Sequence, residues 1–252
     1  MNYIVIPAYQ PDNKLIKLIE KIHEKSDFRI LVIDDGSSSK CQNIFDKAEQ
    51  YATVLRHQVN QGKGQALKTA FDYIRQQNSY GTVVTADADG QHKIWDILRT
   101  ANKASENPNK LILGVRAFTG KVPLRSRFGN SLTKALFKIQ TGVEVADTQT
   151  GLRAFTTNLI PFMLKIEGNR YEYEMNMLLE ATKEYQILEV PIESVYINDN
   201  EGSHFRPIRD GLMIYKNIFK FALSSLSSFV VDYLVYAIAI LFLPTAPTSF
   251  RI

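Results

Sequence analysis

The run Val83-Val84-Thr85-Ala86-Asp87-Ala88-Asp89-Gly90-Gln91-His92 constrains this chain more than any other stretch. It begins apolar and β-branched after Gly81 and reads as a buried strand. It then stops in two carboxylates spaced i, i+2 and followed by glycine, which leaves both acids on one side of the chain as it quits a sheet. Such a pair, with little positive charge beside it, calls for a cation. Hard Mg²⁺ or Mn²⁺ favours carboxylate and phosphate oxygens, so the pair points to a metal-bound diphosphate. An isolated Asp-x-Asp also occurs as a solvated turn, and the rest of the chain has to decide between the two.

Strand and helix patterns alternate on either side of this run. Residues 2–6 predict a strand closed by Pro7-Ala8-Tyr9, and Asp12 predicts the cap of a helix with Leu15, Leu18, Ile19 and Ile22 on its apolar face. Phe28 to Ile33 predicts a second strand ending in Asp34-Asp35-Gly36-Ser37, followed by a helix to about Tyr51 and a short strand from Thr53 to Arg56. In open parallel sheets ligands bind at the carboxyl ends of strands, which would bring Tyr9, Asp35 and the Asp87/Asp89 pair to one crevice. Asp34 or Asp35 would accept hydrogen bonds from a base or ribose, or would cap the next helix. Asn60-Gln61-Gly62-Lys63-Gly64 opens a helix with Leu67, Ala70, Phe71 and Ile74 inside; two glycines around Lys63 suit a phosphate, although the Walker A spacing is absent.

Further on, a helix near Ile94–Ala104 and a strand Leu111–Val115 deliver Arg116. From Arg116 to Val143 there are six basic residues, among them Arg125 and Arg127, and no acidic one. Phe128, Leu132, Ala135, Leu136 and Ile139 mark an amphipathic helix there, and the two arginines before it are placed for bidentate contact with a phosphate. Asp147 to Phe155 is too dense in polar side chains for an ordinary connection. Tyr171 opens a helix to about Glu184, and Leu188–Ile197 is extended and carries Pro191.

The tail changes character. Ile208, Leu212, Tyr215, Ile218, Phe219 and Ala222 line one side of a helical pattern whose polar positions include Arg206, Arg209, Lys216 and Lys220, which fits an interfacial helix on anionic headgroups. Phe229 to Leu243 is then apolar except for Asp232, fifteen residues against the roughly 20 that span a bilayer. The expected organisation is a catalytic domain over 1–202, a juxtamembrane amphipathic region over 203–228 and a partial transmembrane segment over 229–252.

At 252 residues and 45% hydrophobic the chain has ample material for one large α/β domain with an appendage. The single Cys41 excludes an internal disulfide and a cysteine metal cluster. The chain opens directly as a strand with no signal-peptide pattern, so its catalytic part is expected on the cytoplasmic face of the membrane. The net charge of +4 is carried by clusters without the interleaved aromatics of stacking platforms, and no nucleic-acid partner is expected.

Taken together these motifs resemble family-2 glycosyltransferases, and among them the polyprenyl-phosphate glycosyltransferases similar to dolichyl-phosphate mannose synthase and bactoprenol glucosyltransferase. The resemblance covers about residues 1–220. It rests on Ile6-Pro7-Ala8-Tyr9, Asp34-Asp35-Gly36-Ser37, Asn60 to Gly64, Asp87 to His92, the arginine-containing segment through Asn130, and Asp147-Thr148-Gln149-Thr150-Gly151-Leu152-Arg153. It implies a GT-A fold, Rossmann-like, with Pro7, Tyr9 and Asp35 lining the nucleotide pocket. It also implies Asp87, Asp89 and Gln91 as ligands to Mg²⁺ or Mn²⁺ against the donor diphosphate. On the same basis Arg116 and Arg127, with Arg125 close by, would receive the lipid phosphate, Asp147 and Arg153 would shape the acceptor side, and a loop with Ser203, His204 and Arg206 would close over the donor. The tail resembles the first helix of a small membrane module that helps move lipid-linked sugars, so a flippase-like partner is implied.

The chemistry fits the inventory. A lipid monophosphate is already an anionic nucleophile near neutral pH and needs no strong general base. It needs cations that align two phosphates and a metal that stabilises the departing nucleoside diphosphate, with inversion at the anomeric carbon. The expected reaction is therefore transfer from a nucleotide-sugar, with UDP as the expected nucleotide, to a polyprenyl phosphate. The alternatives are transfer to a sugar hydroxyl in polysaccharide or teichoic acid synthesis, with Asp147, Glu172 or Glu174 as base, or an inactive nucleotide-sugar-binding module.

Overall fold

The computed structural model describes residues 1–116, 133–135, 137–193 and 209–242, with side chains in the last stretch described at 223, 224 and 226–240. The chain divides into two compact units, Met1–Arg206 and Pro207–Ile252.

The first unit is built on a seven-stranded mixed sheet. Its strands are β1 (Tyr3–Ala8), β2 (Arg29–Asp34), β3 (Thr53–Arg56), β4 (Thr82–Thr85), β5 (Lys110–Arg116), β6 (Arg153–Thr156) and β7 (Gln186–Ile192), in the order β3-β2-β1-β4-β6-β5-β7. The interleaved helices are α1 (Asn13–Lys25), α2 (Gln42–Ala48), α3 (Lys63–Gln76), α4 (Ile94–Glu106), α5 (Ile160–Lys165) and α6 (Glu172–Glu184). Only β6 runs against its neighbours, pairing antiparallel with both β4 and β5.

The sheet is buried on both faces, which explains why its strands read as continuous apolar runs. Side chains alternate across it. Ile4, Ile6, Ile30, Val32, Val84 and Ala154 pack with Leu15, Leu18, Ile19 and Ile22 of α1, Phe45 of α2 and Ile97 of α4. Phe155 projects the other way, with its ring 5.3 Å edge-on from that of Phe71 on α3. The cap expected at Asp12 forms, its Oδ1 accepting from the Lys14 amide at 2.8 Å. Pro191 is accommodated because β7 is an edge strand.

Three expectations need correction. The helix after Ser37 is a 3₁₀ turn, Ser39–Cys41, followed by α2, which stops at Ala48. Residues 133–135 and 137–141 are helical, but the buried stripe is Thr133 and Phe137, both 0% exposed, whereas Ile139 is 73% exposed. The i, i+4 pair that buries the aromatic ring takes the core, and Ala135 and Ile139 turn outward with it. The strand β6 and the short helix α5 were not anticipated.

In the second unit one helix, α7 (Arg209–Phe242), runs through the boundary expected at residue 228, since no proline interrupts it and Ser227 returns its hydroxyl to the Ser224 carbonyl at 2.8 Å. Among the described residues no helix is long and apolar enough to cross a membrane. Leu223, Leu226, Phe229, Tyr233, Leu234 and Ile238 are each more than half exposed.

Gly36 and Gly142 have φ of +71° and +72°, yet a Cβ on Gly36 would meet the Val59 carbonyl carbon at 2.3 Å while one on Gly142 would meet nothing within 4 Å. Gly142→Ala should therefore lose only the left-handed backbone penalty, about 1 kcal/mol, and Gly36→Ala about 3 kcal/mol or more, as read by thermal or urea unfolding.

Candidate active site

The carboxyl ends of β1, β2, β4 and β5 open on the same edge of the sheet, and the antiparallel β6 starts there. Continuing the β4–β6 register outward from Thr85↔Arg153 places Asp87 opposite Gly151. The approach is close. A Cβ on Gly151 would lie 2.4 Å from Asp87 Oδ2 and 2.7 Å from Oδ1, so only glycine leaves room for the carboxylate. Thr85 fixes the two chains by donating its hydroxyl to the Gly151 carbonyl at 2.8 Å.

The Asp87 carboxylate faces Lys63 and His92 on its other sides. Lys63 Nζ lies 2.7 Å from Oδ1 and His92 Nε2 lies 3.5 Å from Oδ2, the latter too long for a full hydrogen bond. Lys63 reaches a second acid, Glu174 Oε2, at 2.9 Å. Burial alone would raise the Asp87 carboxyl pKa, but Lys63 and His92 outweigh it and hold the group far below the usual carboxylate range. Burial likewise works against the Lys63 ammonium, and Asp87 and Glu174 overcome it and hold the lysine above its ordinary value. Asp89 goes the other way. Burial and the like charge of Asp87 push its carboxyl up, opposed by the Gln91 amide, which donates to Oδ1 at 3.0 Å.

Across the cleft, Arg116 at the end of β5 makes a two-point contact with Asp147, Nε to Oδ2 at 2.6 Å and a terminal nitrogen to Oδ1 at 3.1 Å. Asp147 is fully buried and also accepts from the Gln149 amide at 3.1 Å. The polar segment carrying it is tied to β5, with the Thr150 hydroxyl donating to the Gly114 carbonyl at 2.6 Å and the Gly114 amide to the Leu152 carbonyl at 2.8 Å. Asp87, Gln91, His92, Arg116, Gln149, Thr150 and Gly151 line one cleft. A larger concavity of about 550 Å³ lies between α1 and α2, away from these groups, and is walled by Asn13, Lys17, Glu20, Lys47 and Gln50.

Two expected site residues are held from within the fold. Arg153 was expected on the acceptor side, but it is 1% exposed. Its Nε donates to the Thr150 carbonyl at 3.0 Å and another nitrogen to the Glu174 carbonyl, while its remaining terminal nitrogen is buried without a hydrogen-bond partner. Asp35, expected in the nucleotide pocket, is 3% exposed. Its Oδ1 takes the Gln61 amide at 2.9 Å and His57 Nδ1 at 2.7 Å, and its Oδ2 takes the Gly62 amide at 2.8 Å. It braces the Asn60–Gly64 loop, and His57 in turn meets the Thr69 hydroxyl at 3.0 Å. Asp34 caps the next turn through the Ser37 amide at 2.8 Å. Pro7 lies in β1 and Tyr9 follows it, 39% exposed. Arg125, Arg127, Ser203, His204 and Arg206 lie outside the described residues.

Sequence reasoning missed His57, the Gly151 contact and the bridging role of Glu174. The strand register carries the signal for Gly151; a lone histidine after a short strand carries none. Among the described residues no three His, Cys, Asp or Glu side chains are assembled as a metal cage. Magnesium is commonly held by one or two carboxylates together with substrate phosphates, and the adjacent Asp87 and Asp89, whose like charges oppose each other, fit that demand.

A mostly parallel sheet with acids and cations gathered at its strand ends hosts many chemistries, and the comparisons resolve the class. Residues 3–163 match the glycosyl transferase family 2 domain, and the chain belongs to that family. It is a glycosyltransferase. It is 26% identical over 215 residues to the UDP-N-acetylglucosamine–dolichyl-phosphate N-acetylglucosaminyltransferase of Methanococcus voltae, covering 77% of this chain and 85% of that one. It is 27% identical over 252 residues to the dolichyl-phosphate beta-glucosyltransferase of Saccharomyces cerevisiae, covering 85% and 72%. Its fold is similar to that of glucosyl-3-phosphoglycerate synthase from Mycobacterium tuberculosis, solved with Mn²⁺, UDP and phosphoglyceric acid, with a TM-score of 0.64 at 17% identity over 89% of this chain and 78% of that one.

Gly151→Ala should lower turnover by about 10²-fold or more by displacing Asp87, while circular dichroism retains the native spectrum. Full activity in that variant would show that the carboxylate position is immaterial.

Proposed function

We propose that this enzyme moves a sugar from a UDP-linked donor to a polyprenyl phosphate such as undecaprenyl phosphate, at the cytoplasmic face of a membrane and with inversion, for cell-envelope glycosylation. One observation carries the choice of acceptor: the two acids of the cleft best placed to serve as a base for a sugar hydroxyl, Asp147 and Glu174, are each held in an ion pair. Asp147 is paired with Arg116 and Glu174 with Lys63, while Glu172 turns Oε1 to the amides of Asn169 and Arg170 at 3.0 and 3.1 Å and keeps Oε2 buried without a partner. A phosphate nucleophile needs no base. The names of the Methanococcus and Saccharomyces relatives, both dolichyl-phosphate transferases, support the same reading.

In this mechanism an oxygen of the lipid phosphate attacks the anomeric carbon from the face opposite the leaving group. The bond from that carbon to the diphosphate oxygen breaks, and its electron pair leaves with the nucleoside diphosphate. Arg116, oriented by Asp147, offers its cation to the incoming phosphate, assisted by Arg125 and Arg127. Lys63 stands beside the diphosphate at the start of α3. A divalent ion held by Asp87, Asp89 and Gln91 would stabilise the charge on the departing diphosphate. The bound Mn²⁺ and UDP of the mycobacterial synthase support that choice of ion and nucleotide. The row of exposed apolar side chains on α7, after Arg209, Lys216 and Lys220, favours association with an anionic bilayer and with a small membrane partner that carries the product across.

The deciding experiment supplies membranes with undecaprenyl phosphate, radiolabelled UDP- and GDP-sugars and Mn²⁺ or Mg²⁺. Label from a UDP-sugar is expected in the organic-extractable lipid, with none after EDTA. Label entering only a sugar hydroxyl would sink the proposal, and donor binding without any transfer would leave a binding module. Asp89→Ala should reduce transfer by at least about 10²-fold, and near-normal turnover would refute the metal assignment. For the tail, Leu234→Glu with Ile238→Glu should cut co-flotation with phosphatidylglycerol vesicles several-fold; unchanged flotation would remove α7 from the membrane contact.

A further inference from the structure

The ammonium of Lys63 sits between two carboxylates from different parts of the chain, 2.7 Å from Asp87 and 2.9 Å from Glu174. Its backbone is fixed. The preceding Gly62 amide is bound to Asp35, and the Gln65 amide donates to the Asn169 carbonyl at 2.9 Å, which docks the start of α3 on the turn that leads into α6. Glu174 is equally fixed, in the first turn of α6, whose carbonyl at that position holds the buried Arg153. Only the four-carbon stem of Lys63 is left to move between the two acids.

We infer that Lys63 is the resident counter-ion of Asp87, that it must give up this carboxylate before a divalent ion can take it, and that Glu174 retains the ammonium beside the donor diphosphate when it does. The inference rests on the metal reading proposed above. An ammonium 2.7 Å from Asp87 Oδ1 and a divalent cation on the same carboxylate repel each other, so metal alone is a poor ligand for the unloaded site. A nucleotide diphosphate changes the balance, because its negative charge attracts the released ammonium and the ion together. Lys63 thereby makes metal binding conditional on the nucleotide, which spares the unloaded site from holding a loosely bound ion. Lys63 and Glu174 are positioning residues in this scheme, acting on Asp87 and on the diphosphate.

The test is a titration of the full chain with Mn²⁺ alone, following the free-ion EPR signal, repeated with UDP. Wild type should bind Mn²⁺ weakly alone and much more tightly with UDP. Lys63→Met should bind Mn²⁺ alone about tenfold more tightly than wild type and lose most of the enhancement by UDP. Glu174→Gln should shift the other way, since Lys63 is then left to Asp87 alone, and it keeps the test open if Lys63→Met does not fold. Lys14→Met is the control for net charge: Lys14 packs beside Gly90 but pairs with Asp12 at 3.3 Å, and its loss should alter Mn²⁺ affinity by less than about twofold. A Lys63→Met protein that binds Mn²⁺ alone no better than wild type, with UDP enhancement intact, overturns the inference and leaves the metal reading standing. Absence of Mn²⁺ binding in every protein, with or without UDP, overturns both.

Discussion

The antiparallel pairing of β4 with β6 is the constraint on which the rest of the site depends. Four parallel strand ends would by themselves make an edge with one loop each. Because β6 enters the sheet from that same edge, the segment before it is drawn across the mouth of β4, and Gly151 comes to lie against Asp87. The same pairing brings Thr150 and Leu152 onto Gly114 and so sets Asp147 opposite Arg116. Both walls of the cleft are therefore registered to one four-residue strand. A slip of one residue in its ladder would send every side chain to the other face and dissolve the cleft, which both-sided burial of Ala154 and Phe155 prevents.

Charge in the site is arranged in pairs before any ligand arrives. Lys63 is shared by Asp87 and Glu174, Arg116 is clamped by Asp147, and Arg153 lies beneath them with its guanidinium on backbone carbonyls. Ion pairs of this kind contribute little to net stability once the loss of hydration is counted, but they fix direction. A carboxylate that has to meet a ligand at one angle is better held by a counter-ion and a glycine wall than left to sample rotamers in solvent. Asp35 shows the same economy at one remove, since it meets His57 and two loop amides so that Lys63 starts its helix in the right place.

Much of this was legible in the sequence, for a physical reason that also marks the limit. The parallel strands, the faces of α1 and α3, the Asp12 cap and the placing of Asp87 and Gln91 in a cleft at one strand end all follow from local periodicity and from the rule that such sheets bind at their carboxyl ends. The strand β6 was not legible, because four residues with an arginine among them carry no period. Nor was the burial of Arg153, since a charged residue inside the fold is recognised only through the carbonyls it meets, at Thr150 and Glu174. The Thr133/Phe137 stripe was misread because two overlapping i, i+4 stripes share that stretch and only packing chooses between them. The Lys63–Glu174 bridge joins residues more than a hundred positions apart, beyond the reach of any local pattern.

The balance of charge that results bears on what the cleft is built to hold. Asp87, Asp89, Asp147 and Glu174 set four carboxylates against Lys63, Arg116, Arg153 and the imidazole of His92. Asp89 shows how the balance falls locally: burial and then its neighbour Asp87 push its carboxyl up against the Gln91 amide that it accepts. In the metal reading proposed above, a divalent ion arriving with the nucleotide would add its charge beside Asp89 only while the diphosphate is present. A paired Asp87 next to an Asp89 whose carboxyl is pushed up is an arrangement compatible with a metal taken up together with its diphosphate.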